Sequence, residues 1–412
     1  MRPAAILILL AALATAEESS RSWTDTGGRT FEGSHVSATP DKVTIRRASD
    51  GKVFEVERAK LSQPDLDYLA GLEKHPGPPD RGPRPDGPPD FRRGGRLESM
   101  LTGYEDSQAN FAAPWPKTSG LAKPPVVTPG EQNPAEHRFV YESPHFRIQC
   151  DVPLLQDLPV KIATILEANY QAHRDIPLNN RRTRSPGAPK LKVFLYRTIE
   201  DYREAGGLPG TVGSYLGPGD RLLVPLEGLG VKKSGSGFEF DFSAGFHNVY
   251  HEQCHLLWGD LGNMAGVWMN EGFAEFMACA PYDSGKFNFV RQPEAALEFA
   301  IGGKKGVASR ALGKEITMPR LQTFMAMSQP EFYQDPNKNY GLGLLLVYYF
   351  LLLDGDGTGA RFKAAIKACQ DGSRAEATRA LLGGRDYPAL EKDFATALRA
   401  KGVQITFKDT KE

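Results

Sequence analysis

Net charge is the first thing this chain lacks. Lys plus Arg and Asp plus Glu each number 50 among 412 residues, so the formal charge is zero. A balanced chain offers no electrostatic footprint for nucleic acid or an anionic membrane. Membrane-length apolar runs are also missing from the interior. A spanning helix needs about 20 apolar residues. The best candidate, Leu342 to Leu353, is twelve long and bounded by Asn339 and Asp354, so it reads as a buried helix. Cysteine is sparse: only Cys150, Cys254, Cys279 and Cys369 are present. None follows the N-terminal apolar stretch closely, so no lipid anchor is expected there. Four cysteines allow three pairings. A Cys254–Cys279 bridge and four buried free thiols both stay open.

What is present begins with an export signal. Arg2 precedes the apolar run Ala4 to Leu13, then Ala14-Thr15-Ala16 and the polar Glu17-Glu18-Ser19-Ser20. This is the layout of a secretory signal peptide cleaved after Ala16. Residues 1–16 therefore stand apart from the fold, and the mature chain is expected to be periplasmic or extracellular. Residues 22–73 predict a small β unit. Its strands run from Phe31 to Ala38, Lys42 to Arg47 and Lys52 to Glu57, with Asp50-Gly51 as a hairpin turn. Ser62 and Pro64 open a short helix after it. Residues 74–136 read as a Pro/Gly-rich linker, although Phe111, Trp115 and Val126-Val127 are apolar enough to dock on the next domain. The stretch from 75 to 95 holds seven prolines and five glycines and almost nothing to bury.

Residues 137–412 mix the two periodicities. His145 to Cys150, Leu191 to Tyr196 and Arg221 to Leu226 read as strands, and Leu158 to His173 as a helix. Thr198 caps a short helix through Tyr202. Everything after Ser243 is helical in character. Strands first and helices later predict an α+β domain, with a small sheet and a mainly helical C-terminal lobe.

The chemistry concentrates in His251-Glu252-Gln253-Cys254-His255, which fits H-E-x-x-H. On a helix, residues i and i+4 share a face, so both imidazoles reach one ion. The glutamate beside the first histidine can take a proton from activated water. Fifteen residues separate His255 from Glu271. That is room for a turn through Gly262 and Gly266 and for a returning helix that brings a carboxylate to a third ligand position. Glu275, one turn beyond Glu271, is placed to accept the free N–H of a ligand histidine. His247, one turn before His251, is an extra ligand or, more simply, a structural histidine. Asn270 caps or orients the returning helix.

With Leu256-Leu257-Trp258-Gly259-Asp260-Leu261 and Trp268-Met269-Asn270-Glu271-Gly272-Phe273-Ala274-Glu275, the motif resembles the gluzincin metallopeptidases. The resemblance spans roughly residues 140 to 400. It implies Zn2+ held by His251, His255 and Glu271, Glu252 as general base, and a peptide or protein substrate. Tyr340, in Asn339-Tyr340-Gly341-Leu342-Gly343, looks like the family's oxyanion-stabilising phenol. The departures are a shorter spacing to Glu271 than in the familiar aminopeptidases and no G-x-M-E-N strand. An endopeptidase or undefined peptidase is therefore expected, with Arg221 to Leu226 as the sheet edge and Glu227 nearby. The alternative is an inactive or non-peptide-specific member acting as a binding module. Residues 22–73 resemble the Sla-one homology domain, an SH3-like barrel. Trp23-Thr24-Asp25, Gly28-Arg29, Val43-Thr44-Ile45, Asp50-Gly51-Lys52 and Lys60-Leu61-Ser62 carry that likeness. It implies a peptide or cell-envelope ligand.

Overall fold

A computed structural model of the chain describes residues 21–38, 41–47, 52–66, 69, 111–155, 157–178, 180, 189–208, 211–217, 219–234, 237–240, 246–259, 261–302 and 309–408. Residues 1–16, expected as a signal peptide, residues 50–51, expected as a hairpin turn, the 75–95 stretch and Asp260 lie outside them. The chain divides into two units, Met1–Met100 and Leu101–Glu412.

The first unit is an antiparallel sheet of β1 (Arg21–Thr24), β2 (Thr30–Ala38), β3 (Lys42–Arg47) and β4 (Val53–Glu57), in that order. Strand alternation sends Val43 and Ile45 to one face, where Trp23, Leu61 and Leu69 complete a small core. The Trp23 indole N–H donates to the Gly33 carbonyl at 2.9 Å, so the buried ring keeps its polar atom satisfied. The buried Asp65 carboxylate accepts the Thr24 N–H and the Ser62 hydroxyl, both at 2.8 Å. It fastens the helical turn after Ser62 to β1.

The second unit is mixed α and β. It opens with β5 (Thr118–Gly120), β6 (Thr128–Asn133), β7 (Arg138–Glu142) and β8 (Phe146–Cys150). Then come α1 (Leu158–Asp175), β9 (Leu191–Tyr196), α2 (Ile199–Glu204), β10 (Ser214–Leu216) and β11 (Arg221–Pro225). Strands β10-β11-β9-β8-β7-β6 form one sheet, with β8, β9 and β11 parallel and the rest antiparallel. Thr198 caps α2 by accepting the Asp201 N–H. The hairpin β12 (Val231–Ser234) and β13 (Gly237–Phe240) follows.

Helices then dominate: α3 (His247–Trp258), α4 (Leu261–Ala265) and α5 (Val267–Ala278). After the small pair β14 (Tyr282–Asp283) and β15 (Lys286–Asn288) come α6 (Gln292–Ile301), β16 (Glu315–Pro319), α7 (Leu321–Ala326), α8 (Gln329–Phe332) and α9 (Pro336–Leu352). The unit ends with α10 (Ala360–Gln370), α11 (Arg374–Leu382), α12 (Tyr387–Arg399) and β17 (Gln404–Lys408), which pairs in parallel with β16. Residues 341–351 of α9 are all buried, as expected of a helix apolar on every side. Among the described residues, no helix is long and apolar enough to cross a membrane.

Three expectations need correction. The stretch after Ser243 is not wholly helical, because β14, β15, β16 and β17 lie within it. Residues 111–136, grouped with the linker, belong to the second unit: β5 pairs with β15, and β6 pairs with β7 at the sheet edge. Trp115 packs edge-on against Phe276 and Phe289. The sheet edge near the H-E-x-x-H helix is β10, and β11 lies inside between β10 and β9.

Candidate metal centre

The motif lies on α3, and its rotation is set from behind. Gln253 projects opposite His251, into the buried seam with α1. There its Nε2 donates to the Leu166 carbonyl at 2.8 Å, and its Oε1 accepts from Asn169 Nδ2 at 3.1 Å. With that face anchored, His251, Glu252 and His255 turn to the other side. The chain returns through α4 and through Gly266, whose φ of +82 suits a residue without Cβ. Gly262 is not the turn. It sits inside α4, where a Cβ would collide with the Asn270 amide oxygen. Helix α5 then presents Glu271, and α9 packs on α5 so closely that a Cβ on Gly272 would meet the Gly343 backbone.

Three ligand atoms converge. His251 Nε2 and His255 Nε2 are 3.1 Å apart. Glu271 Oε2 lies 3.1 Å from the first and 3.2 Å from the second. Ligands about 2.0–2.1 Å from a tetrahedral zinc sit about 3.3–3.4 Å from one another. The triangle needs to open by only roughly 0.2 Å to accept one. These buried His and Glu groups can therefore hold a metal ion.

The electrostatics point the same way. Burial pulls the His251 pKa down, but the flanking Glu271 and Glu275 carboxylates overcome it and raise it to about 10. Burial works against the Glu271 carboxylate, yet the His255 and His251 imidazoles hold it well below the usual range. Glu275 is likewise lowered, against burial, by His247 and His251. The negative charge these carboxylates hold beside the imidazoles suits a divalent cation.

Around the triangle stand supporting groups. His251 Nδ1 is 2.8 Å from Glu275 Oε1, an ion-pair contact. That contact directs Nε2 toward the ion site. A second set, His247, His251 and Glu275, also lies within ligand range. Arg310 decides against it. The guanidinium forks onto Glu275, Nη2 to Oε1 at 2.7 Å and Nε to Oε2 at 2.9 Å, and its permanent charge repels a cation there. His247 instead stacks on Phe299 with centroids 4.0 Å apart, and its Nε2 is 3.5 Å from Glu275 Oε2. Asn270 does not cap α5; Gly266 holds that position. From within the helix its Oδ1 reaches His255 Nδ1 at 3.3 Å, and its Nδ2 reaches Glu271 Oε1 at 3.5 Å.

Two further residues escaped the sequence reading. The Tyr333 hydroxyl donates to Glu271 Oε1 at 2.9 Å, which leaves Oε2 for the ion. The Tyr215 N–H on β10 donates to Glu252 Oε2 at 2.9 Å. Glu252 thus stands at the junction of α3 and the sheet edge. Desolvation raises its pKa, with the two imidazoles opposing. Tyr340 lies with its ring 5.5 Å from that of His251 and stacked on Tyr333. Burial, then the charge of Glu271, keeps its phenol protonated far above the usual range. Glu227 is exposed, in a single helical turn after β11. All four cysteines are buried and free, so Cys254 and Cys279 are not bridged. Burial raises the Cys254 thiol well above its ordinary pKa.

Compared with protein-family models and with curated proteins, the chain matches none.

Proposed function

We propose that this chain is an exported zinc-dependent peptidase of the gluzincin kind. The observation that carries the reading is the buried His251–His255–Glu271 triangle, with Glu252 on the same helix. Two imidazoles, one carboxylate and a fourth position left to solvent are the donor set of a catalytic zinc site. Zinc held by His251, His255 and Glu271 would supply Lewis acidity toward a carbonyl and toward water. Glu252 takes the proton as water attacks and returns it to the leaving amine. The hydrogen bond from Tyr215 keeps one Glu252 oxygen engaged and leaves the other for that transfer. Tyr340, protonated in its crowded setting, donates to the oxygen where negative charge develops. A peptide adds to the sheet beside β10, next to Glu252, as an extra strand.

Metal analysis of the purified mature chain, paired with cleavage of a mixed peptide library, tests this. The reading expects one zinc per chain and cleavage abolished by a chelator. Bound zinc without peptide cleavage would redirect the activity to other amides or esters. No metal would leave only a binding protein.

The N-terminal sheet, with its Trp23–Val43–Ile45 core, supports an SH3-like unit that binds a peptide or cell-envelope component. Equal retention of the mature chain on envelope fractions with and without this unit would refute that role. Export itself rests on residues 1–16 and is tested by N-terminal sequencing, which should begin at Glu17.

A further inference from the structure

We propose that Arg310 is a positioning residue that ties the metal ligand His251 to the phenol of Tyr340. The inference rests on reading the triangle as a metal centre. Arg310 is first fixed through its own backbone. Its N–H donates to the Phe299 carbonyl of α6 at 2.8 Å, and its carbonyl accepts from Asn337 of α9 at 2.9 Å. The side chain then meets two partners at once. Its fork closes on both oxygens of Glu275, and the oxygen taken by Nη2 is the one facing His251 Nδ1. Its guanidinium carbon lies 4.7 Å from the centre of the Tyr340 ring, and that ring packs against His251.

A ring of contacts results, running from His251 through Glu275, Arg310 and Tyr340 back to His251. Each member limits the next. Glu275 is fully buried, and without the guanidinium only the His247 and His251 imidazoles would face its charge. It would then be free to swing toward His247, whose Nε2 is 3.5 Å from Oε2. His251 would lose the partner that turns its Nε2 to the ion, and Tyr340 would lose the cation on its face. Lysine cannot replace arginine here, because an ammonium neither forks onto a carboxylate nor stacks flat on a phenol.

The test uses the mature chain and its R310M and R310K variants. Metal-free protein is titrated with Co2+, read by its visible spectrum and by competition with a chromophoric chelator. Outer partners of a metal-bound histidine are worth about 10–100-fold in affinity. A loss of that size is expected in R310M, with an altered Co2+ spectrum. On a peptide that the unsubstituted chain cleaves, kcat should fall while KM holds. R310K, which keeps charge and bulk, should resemble R310M, and it decides the matter if R310M does not fold. Unchanged Co2+ affinity and spectrum in the variants would overturn the proposal, as would full rescue by lysine. If the unsubstituted chain takes up no Co2+, the metal reading fails first, and the role of Arg310 with it.

Discussion

Replacing His173 should make the second unit more resistant to acid. His173 lies on α1, is fully buried, and has no hydrogen-bond partner for either ring nitrogen among the described residues. Its ring meets Phe273 of α5 edge-on, with centroids 6.3 Å apart. Burial alone lowers its pKa from 6.5 to about 3. Between those values the unfolded chain binds a proton that the folded chain refuses, so stability falls as pH falls. Each unit is worth about 1.4 kcal/mol, so the full gap of about 3.5 units costs up to about 5 kcal/mol below pH 3. At about pH 4.5 the cost is about 3 kcal/mol. H173L removes the titration. It also removes two unsatisfied nitrogens whose burial costs roughly 1–3 kcal/mol. The assay is urea unfolding of the mature chain and of H173L at about pH 7 and about pH 4.5. H173L should match or exceed the parent at neutral pH and pull ahead by about 3 kcal/mol in acid. Parallel losses in the two proteins would show that His173 has a partner or reaches water, and would refute the reasoning.

E252Q should retain zinc but lose peptide cleavage by at least about a hundredfold, since it keeps shape and removes the base; comparing bound metal with turnover checks both halves. Y333F removes the bond to Glu271 Oε1 and, because Tyr333 is 39% exposed, should cost only about 1 kcal/mol, roughly fivefold in zinc affinity by chelator competition. G272A forces α5 away from the Gly343 backbone and should cost about 1–3 kcal/mol in urea unfolding, with zinc affinity falling alongside.

Much of this was legible because it is local. The i, i+4 spacing of His251 and His255 predicts a shared helix face, and the return to Glu271 needs only one turn. Strand Leu191–Tyr196 alternates cleanly, and its burial does too. The all-apolar run of α9 could only be interior. What sequence missed is what distance or exposure conceals. Tyr333 lies 62 residues from its partner Glu271, Tyr215 lies 37 from Glu252, and Arg310 lies 35 from Glu275. No periodicity links such pairs. Strand β6, Thr-Pro-Gly-Glu-Gln-Asn, is an edge strand exposed along nearly its whole length, so it carries no apolar signal and reads as linker. Strand β10 is only three residues long and comes directly after Gly213, so the sequence pattern points to the longer β11 as the edge. Asn270 has the chemistry of a cap, but Gly266 supplies the backbone bend four residues earlier.

The most direct test is X-ray absorption at the zinc edge on the zinc-loaded mature chain. Two imidazole nitrogens and oxygen donors at about 2.0–2.1 Å, with no sulfur, are expected from His251, His255 and Glu271. Cys254 sits between the two histidines in sequence but is buried. A sulfur shell near about 2.3 Å, or no bound zinc at all, would contradict the account.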